Sequence, residues 1–431
     1  MFHPSTRLYR FSLLFVVAML IFGSYFAFDS IGAIAPELIK SLGVDRSTIG
    51  NMYSMYSLAA IPIVFIGGLV VDKLGMRISS LIFNLMVTLG TVIVALAKKV
   101  PMLYGGRLLF GAGSEALIVA QNAILARWFK GKELALAFGL TLTVSRLGTM
   151  FTFNTEALIS KFFGGYRYAL WAAVLFCCLS LLLNFLFIVM DRHGERVLDL
   201  PRPEADERIR LADIGRFGAS YWYVTLLCVT FYSAVFPFTS LSTDFFHDKW
   251  GIQTTAETSG SFLAQAFSNV LHMFSTAGGI TAIPMFASMC LAPFAGHLVD
   301  RIGRRATLMV IGSVIFIPAH LAMLSSVYPA YPMALLGVAF VLVPAAMWPS
   351  IPLIVAKDRV GTAYGVTTAI QNVGLFSFPY LNGKLRDATK TYTSSQLMFA
   401  GLGVVGLVAS ILLRVADHRA GDVLERAEVK E

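Results

Sequence analysis

Residues 67–77 read GGLVVDKLGMR, and residues 295–305 read AGHLVDRIGRR. Gly68 maps to Gly296, Asp72 to Asp300, Gly75 to Gly303 and Arg77 to Arg305, each 228 positions on. A second pair agrees, because AFGLTLTVSRLG at 137–148 matches AYGVTTAIQNVG at 363–374 with an offset of 226. Self-similarity at one fixed spacing is the mark of a duplicated structural unit. The chain therefore reads as two copies of one half.

Composition says what each half is made of. The 431 residues are 57% hydrophobic and 14% charged, with a mean hydropathy of +0.72. A helix needs about 20 apolar residues to cross a hydrocarbon core of ~30 Å. Roughly a dozen such runs are present, at 11–38, 48–71, 78–98, 102–127, 133–159 and 166–190, then 221–246, 274–299, 305–326, 330–356, 362–383 and 394–416. The expectation is an all-α membrane protein with twelve transmembrane helices in two pseudo-symmetric six-helix bundles. One bundle would occupy residues 1–190, a charged cytoplasmic linker 191–220, the second bundle 221–417 and a cytoplasmic tail 418–431.

Lys and Arg in the loops set the orientation. The side carrying both termini holds 22 of them, the other side 10. Both termini are expected in the cytoplasm, and the net charge of +9 is then a topology signal rather than a nucleic-acid footprint. The first apolar run is too long for a cleavable signal peptide and has no small-residue cleavage site. Cys177, Cys178, Cys228 and Cys290 all fall in expected spans and read as packing residues, with no metal or cofactor implied. No N-x-S/T sequon occurs, which favours a bacterial membrane.

The repeat offset places the seventh span near 239, yet its apolar run begins near 221. About 18 extra residues must therefore lie around GIQTTAETSGSFLAQAFSNV, between spans 7 and 8. The sequence assigns them no role.

Charge inside a bilayer is costly, about 2.5–3.5 kcal/mol or more per group, and it lines a cavity or pairs. Asp29 and Arg107 lie in the outer third and are expected to form a structural ion pair between spans 1 and 4. Glu156 is expected to be solvated at the outer end of span 5. Glu115 and Arg146 are deep, roughly 10 Å apart in depth at 1.5 Å per residue. They can pair directly or bind the two ends of a zwitterion, since guanidinium forks a carboxylate and a carboxylate accepts from an ammonium. An extended residue spans at most ~3.6 Å, so a dipeptide fits that gap better than a free amino acid. Arg146 aligns with Asn372, which makes a site between the halves electrically asymmetric. Tyr53, Tyr56, Asn122, Tyr232 and Trp348 are further candidates for the cavity wall; His272 and His320 read as satisfied or interfacial histidines.

Two six-helix halves carrying G-x-x-x-D-x-x-G-x-R at matching loops resemble the major facilitator superfamily over essentially the whole length. Glycines there permit close approach and a tight turn. Asp72 is expected to meet the N-terminus of a neighbouring helix, span 11, and Arg127. The resemblance implies that Gly68, Asp72, Gly75, Arg77, Arg127, Gly296, Asp300, Gly303 and Arg305 hold the outward-open state.

The stretches FGSYFAFD (22–29), GRLLFGAGSEALIVAQN (106–122), SRLG (145–148), MWPS (347–350) and GTAYGVTTAIQNVG (361–374) resemble one branch, the lysosomal dipeptide transporter family. That resemblance implies that Glu115 and Arg146 hold a peptide's amino and carboxyl termini. Span 1 has no E-x-x-E-R motif, so facilitated uniport by alternating access is implied. The N-terminus MFHPSTRLYRFS lacks the acidic dileucine signal of the animal members. A bacterial cytoplasmic membrane is accordingly expected, rather than a lysosomal one, with the protein a monomer without an accessory subunit. The rival readings are a proton-coupled carrier of another small zwitterion or organic anion, and a transport-inactive receptor or scaffold. With no nucleophile–base or metal-ligand cluster in the sequence, an enzyme is not expected.

Overall fold

The computed structural model describes residues 3–129, 133–198, 211–256 and 260–426. Among them the regular elements are helices: α1 (Arg7–Ala33), α2 (Ala35–Leu42), α3 (Arg46–Leu96), α4 (Val100–Phe129), α5 (Leu134–Phe163), α6 (Tyr166–Leu198), α7 (Ala219–Thr239) and α8 (Ser242–Trp250). Then follow α9 (Phe262–Leu271), α10 (Ala277–Ile302), α11 (Arg305–Ala322), α12 (Ala330–Ile354), α13 (Val360–Thr389) and α14 (Thr393–Arg419). Nine described helices are long and apolar enough to cross a membrane. One of these, α3, has 51 residues and is long enough for two crossings at 1.5 Å per residue. With α10 and α13, of 26 and 30 residues, the set agrees with twelve crossings.

Gly75, φ 77° and ψ 160°, divides α3 into its two crossings. Gly303, at the repeat-related position, has φ 67° and ends α10. A side chain is disfavoured at such φ, which is why the loop motif needs glycine there. Gly68 and Gly296 differ: a Cβ at either would meet nothing within 4 Å. The expectation of close helix approach at those two positions is thus corrected.

The residues fall into two compact units, 1–34 with 55–206, and 35–54 with 207–431. In the first, α1 packs on α5 and α6; in the second, α7 packs on α13 and α14. These contacts correspond under the repeat, so the duplication extends to packing. Phe26, Phe110, Phe129 and Phe187 fill the core of the first unit, while Phe238, Phe316 and Phe399 are buried in the second.

Spans 1 and 7 are not continuous. The first breaks at Ile34 into α1 and α2, because Pro36 has no N–H to give and its ring crowds the carbonyl four residues back. The seventh breaks after Thr239, where the Ser240 and Ser242 hydroxyls donate to the carbonyls of Pro237 and Thr239 at 2.7 and 3.0 Å. The two short continuations, α2 and α8, pack together inside the second unit.

Candidate functional site

The small residues before Glu115 decide where its carboxylate sits. Gly111 lies against the backbone of Tyr56, and Gly113 against the backbone of Phe83 and Val87, so α4 crosses both arms of α3 at contact distance. Even one methyl on either glycine would meet main chain. Glu115 is thereby held within reach of Tyr56, whose hydroxyl donates to Glu115 Oε1 at 2.7 Å. The same hydroxyl lies 3.2 Å from Ser114 Oγ, which is 2.6 Å from Ser24 Oγ on α1. The Tyr56 ring is fixed between Phe28 and Phe110, with centroids 4.7 and 5.6 Å away. Glu115 itself is half-buried.

Arg146 is one helix away on α5, also half-buried, its guanidinium carbon 6.0 Å from the centre of the Tyr25 ring. Tyr25 has Arg146, Glu115 and Asp29 as charged neighbours. The acid and the cation therefore share one aromatic neighbour on α1. Sequence reasoning misses Tyr25, although it lies in the stretch FGSYFAFD.

Asp29 and Arg107 are both buried, and each makes hydrogen bonds besides any contact between the two. Thr149 Oγ1 donates to Asp29 at 2.6 Å. Arg107 donates to the carbonyls of Ala27 and Phe28, each at 3.3 Å, and lies over the rings of Phe28 and Phe110 at 5.3 and 5.0 Å. Guanidinium has five donors, and two carbonyls with the aromatic faces serve part of that capacity. Arg107 remains an electrostatic neighbour of Asp29. Glu156 is a correction: it is 0% exposed, and neither carboxyl oxygen has a hydrogen-bond partner among the described residues.

Asn122 is exposed and Tyr53 buried. In the second unit, Trp348 Nε1 donates to Tyr232 Oη at 2.9 Å, and Tyr364 Oη donates to the Trp348 carbonyl at 3.0 Å. Asn372 is buried and donates to the Thr368 carbonyl of its own helix at 3.1 Å. Of the histidines, His320 is buried with Nδ1 2.9 Å from Gln396 Oε1, and His272 is exposed.

At the loop motif, Arg127 pairs with a different acid. Arg77 and Arg127 both bind Asp191, at 2.5 and 3.3 Å, and both bind Glu195. Trp128 Nε1 adds a bond of 2.7 Å to Asp191. Asp72 is exposed, so the expected Asp72–Arg127 contact is corrected: the buried Asp191 supplies the anion between the two arginines. In the second unit Arg305 donates to the Arg426 carbonyl, and the Glu425 carboxylate accepts from Thr307 N and Oγ1 at 2.8 and 2.7 Å. Asp417 accepts from Leu424 N at 3.0 Å. Asp191 and Asp417 are 226 positions apart, so the repeat offset carried a signal for them. The Asp300 side chain lies outside the described residues.

A further cluster was not anticipated. Arg46 holds Asp244 through two bonds of 2.5 and 3.2 Å. Tyr392 Oη also donates to Asp244, at 2.5 Å. The Asp387 carboxylate caps α3 by accepting from Arg46 N and Ser47 N at 3.2 and 2.8 Å. Arg386 binds Asp248 at 2.9 Å. These partners are up to 341 positions apart in the chain, which no local motif reveals.

The model of the Major Facilitator Superfamily matches residues 17–275 and 252–430. The chain belongs to the major facilitator superfamily. It is 30% identical to the lysosomal dipeptide transporter MFSD1 of Danio rerio over 96% of this chain and 88% of that one. It is likewise 30% identical to MFSD1 of Homo sapiens, over 99% and 91%. The probable sulfoacetate transporter SauU of Cupriavidus necator is 24% identical over 96% and 97%. Among solved structures, the nucleoside transporter NupG superposes with a TM-score of 0.69 at 15% identity, covering 93% of this chain and 99% of that one. A variant of the peptide transporter POT in complex with sulfate gives 0.71 at 13% identity, covering 96% of each. This superfamily member is a multi-pass membrane transporter and not an enzyme.

Proposed function

We propose that this transporter moves dipeptides by alternating access as a facilitative uniporter, with Glu115 taking the peptide's ammonium and Arg146 its carboxylate. The observation that carries the proposal is the pair of half-buried residues of opposite charge type that share Tyr25 as a neighbour. The Tyr56 hydroxyl fixes one of them. A hydroxyl donor suits an anionic Glu115, which then has acceptor capacity left for an ammonium. The names of the 30% identical relatives point to the same substrate class. Under this reading Tyr53, Asn122, Tyr232, Trp348 and Asn372 line the path and meet the side chains loosely, so selectivity falls on the termini. The loop arginines Arg77, Arg127 and Arg305, with the glycines beside them, act at the moving ends of the helices. The protein would lie in a bacterial cytoplasmic membrane with both termini inside.

The test is dipeptide binding by thermal shift together with counterflow of labelled dipeptide in liposomes. A ligand that binds the folded state raises the melting temperature in proportion to RT ln(1 + [L]/Kd). Glu115→Gln and Arg146→Ala are expected to abolish the shift while preserving the unliganded melting temperature; undiminished binding in both variants defeats the site assignment. A proton gradient that drives accumulation defeats uniport. Similarity to SauU favours a second reading, a carrier of small organic anions, in which Arg146 alone holds the substrate. Counterflow of sulfoacetate that survives Glu115→Gln identifies that case.

A further inference from the structure

The inserted segment between spans 7 and 8 folds into α9, and its amphipathicity is inverted. Leu263, Phe267, Val270, Leu271 and the following Phe274 are 77%, 65%, 45%, 63% and 52% exposed. At 100° per residue they fall within an arc of about 100° on one side of the helix. The opposite side carries Gln265, Ser268, Asn269 and His272. Of these, Asn269 is only 2% exposed, and its Oδ1 accepts from Ala256 N at 2.7 Å. Gln265 donates to the Gly260 carbonyl at 2.9 Å. Asn269 and Gln265 tie the polar face to its own chain, and the apolar stripe is turned out.

The helix is also placed where a bilayer surface would be. Tyr328 Oη donates to the Phe274 carbonyl at 2.8 Å, which sets the end of the apolar stripe beside the α11–α12 turn. There Leu321, Tyr331 and Leu335 are exposed, 42%, 72% and 39%, on membrane-spanning helices. Tyrosines at that level are expected at a membrane–water boundary. Ala277 N donates to the Gln253 carbonyl at 2.9 Å, and Gly279 packs on the Met273 backbone, so the elbow from α9 into α10 is tightly closed.

We propose that α9 is an in-plane lipid anchor, its apolar stripe seated in the leaflet on the side opposite the termini. Five side chains are few against the roughly 20–30 residues per side of a stable protein interface, whereas they suffice for a helix lying at the boundary of headgroups and acyl chains. Phe262–Leu271 contains no ionisable acid or base, so insertion is driven by apolar area and is independent of anionic lipid. Since the elbow is closed, α9 follows α10.

The test is a nitroxide scan of the purified full-length protein in liposomes of neutral phosphatidylcholine, on a background with Cys178→Ser and Cys290→Ser. Labels at Leu263→Cys, Phe267→Cys and Val270→Cys are expected to be accessible to oxygen and shielded from a water-soluble nickel chelate. Gln265→Cys and Ser268→Cys should be relatively more accessible to the chelate, giving a helical period in the ratio. Free chelate access at all five positions places α9 in water and overturns the proposal. Low access to both reagents along the stripe means that protein covers it, and also overturns the proposal. The three stripe labels sit on exposed side chains, and a monodisperse elution with an unchanged melting temperature is the check that all five variants fold.

Discussion

Tyr56 is the residue on which the acid site turns. Its hydroxyl is the hydrogen-bond donor to Glu115, and losing the donor to a partly buried carboxylate costs about 1–3 kcal/mol. Tyr56→Phe is therefore expected to weaken dipeptide binding by about tenfold while leaving Arg146 untouched, read as the shift in Kd by titration. Glu115 and Arg146 were conspicuous in the sequence because a charge within an apolar run has to be accounted for energetically. Tyr25 and Tyr56 were not conspicuous in that way, since tyrosine is as ordinary in a helix interface as in a site. Only packing shows that one fixes the acid and the other neighbours both charges. Tyr392 is a parallel case in the second unit, where burial and the Asp244 carboxylate push its hydroxyl well above the ordinary tyrosine value. A raised folded value stabilises the protein below the unfolded pKa of about 10 and is lost as pH rises through the folded one. Tyr392→Phe should accordingly lose less of its melting temperature between about pH 9 and pH 11 than the parent does.

At the scale of elements, glycine decides which helices touch. Gly111 and Gly113 meet the main chain of α3 directly, so Gly111→Val is expected to cost about 1–3 kcal/mol or more through overpacking, seen as a lower melting temperature. Gly68→Ala enters open space and should change stability by less than about 0.5 kcal/mol. The pattern of apolar runs located the spans, because about 20 consecutive apolar residues have few alternatives to crossing a bilayer. It did not locate the breaks at Ile34 and Ser240, which lie inside apolar stretches and are set by a proline and by hydroxyls binding local carbonyls. Nor did it show that the extra residues before span 8 form a helix, since ten residues lie below the length at which a span is read.

At the scale of the molecule, the Arg46–Asp244–Tyr392 cluster ties the start of α3 to α8 and α14 within the second unit. Asp244 is buried and Arg46 half-buried, so removing Arg46 costs the carboxylate a charged hydrogen-bond partner, at about 1–3 kcal/mol. Arg46→Ala should lower the melting temperature by several degrees, and Arg46→Ala with Asp244→Asn by less than the sum of the two singles, since they share one interaction. The sequence by itself determined the membrane class, the duplication, the family and the two deep charges, because each follows from composition, fixed spacing or the cost of burying an ion. The tertiary structure decided which acids the loop arginines bind, which hydroxyl holds Glu115, and which way α9 faces. Those depend on helices that are far apart in the chain and near in space, and a hydrogen bond between residues hundreds of positions apart leaves no periodicity to read.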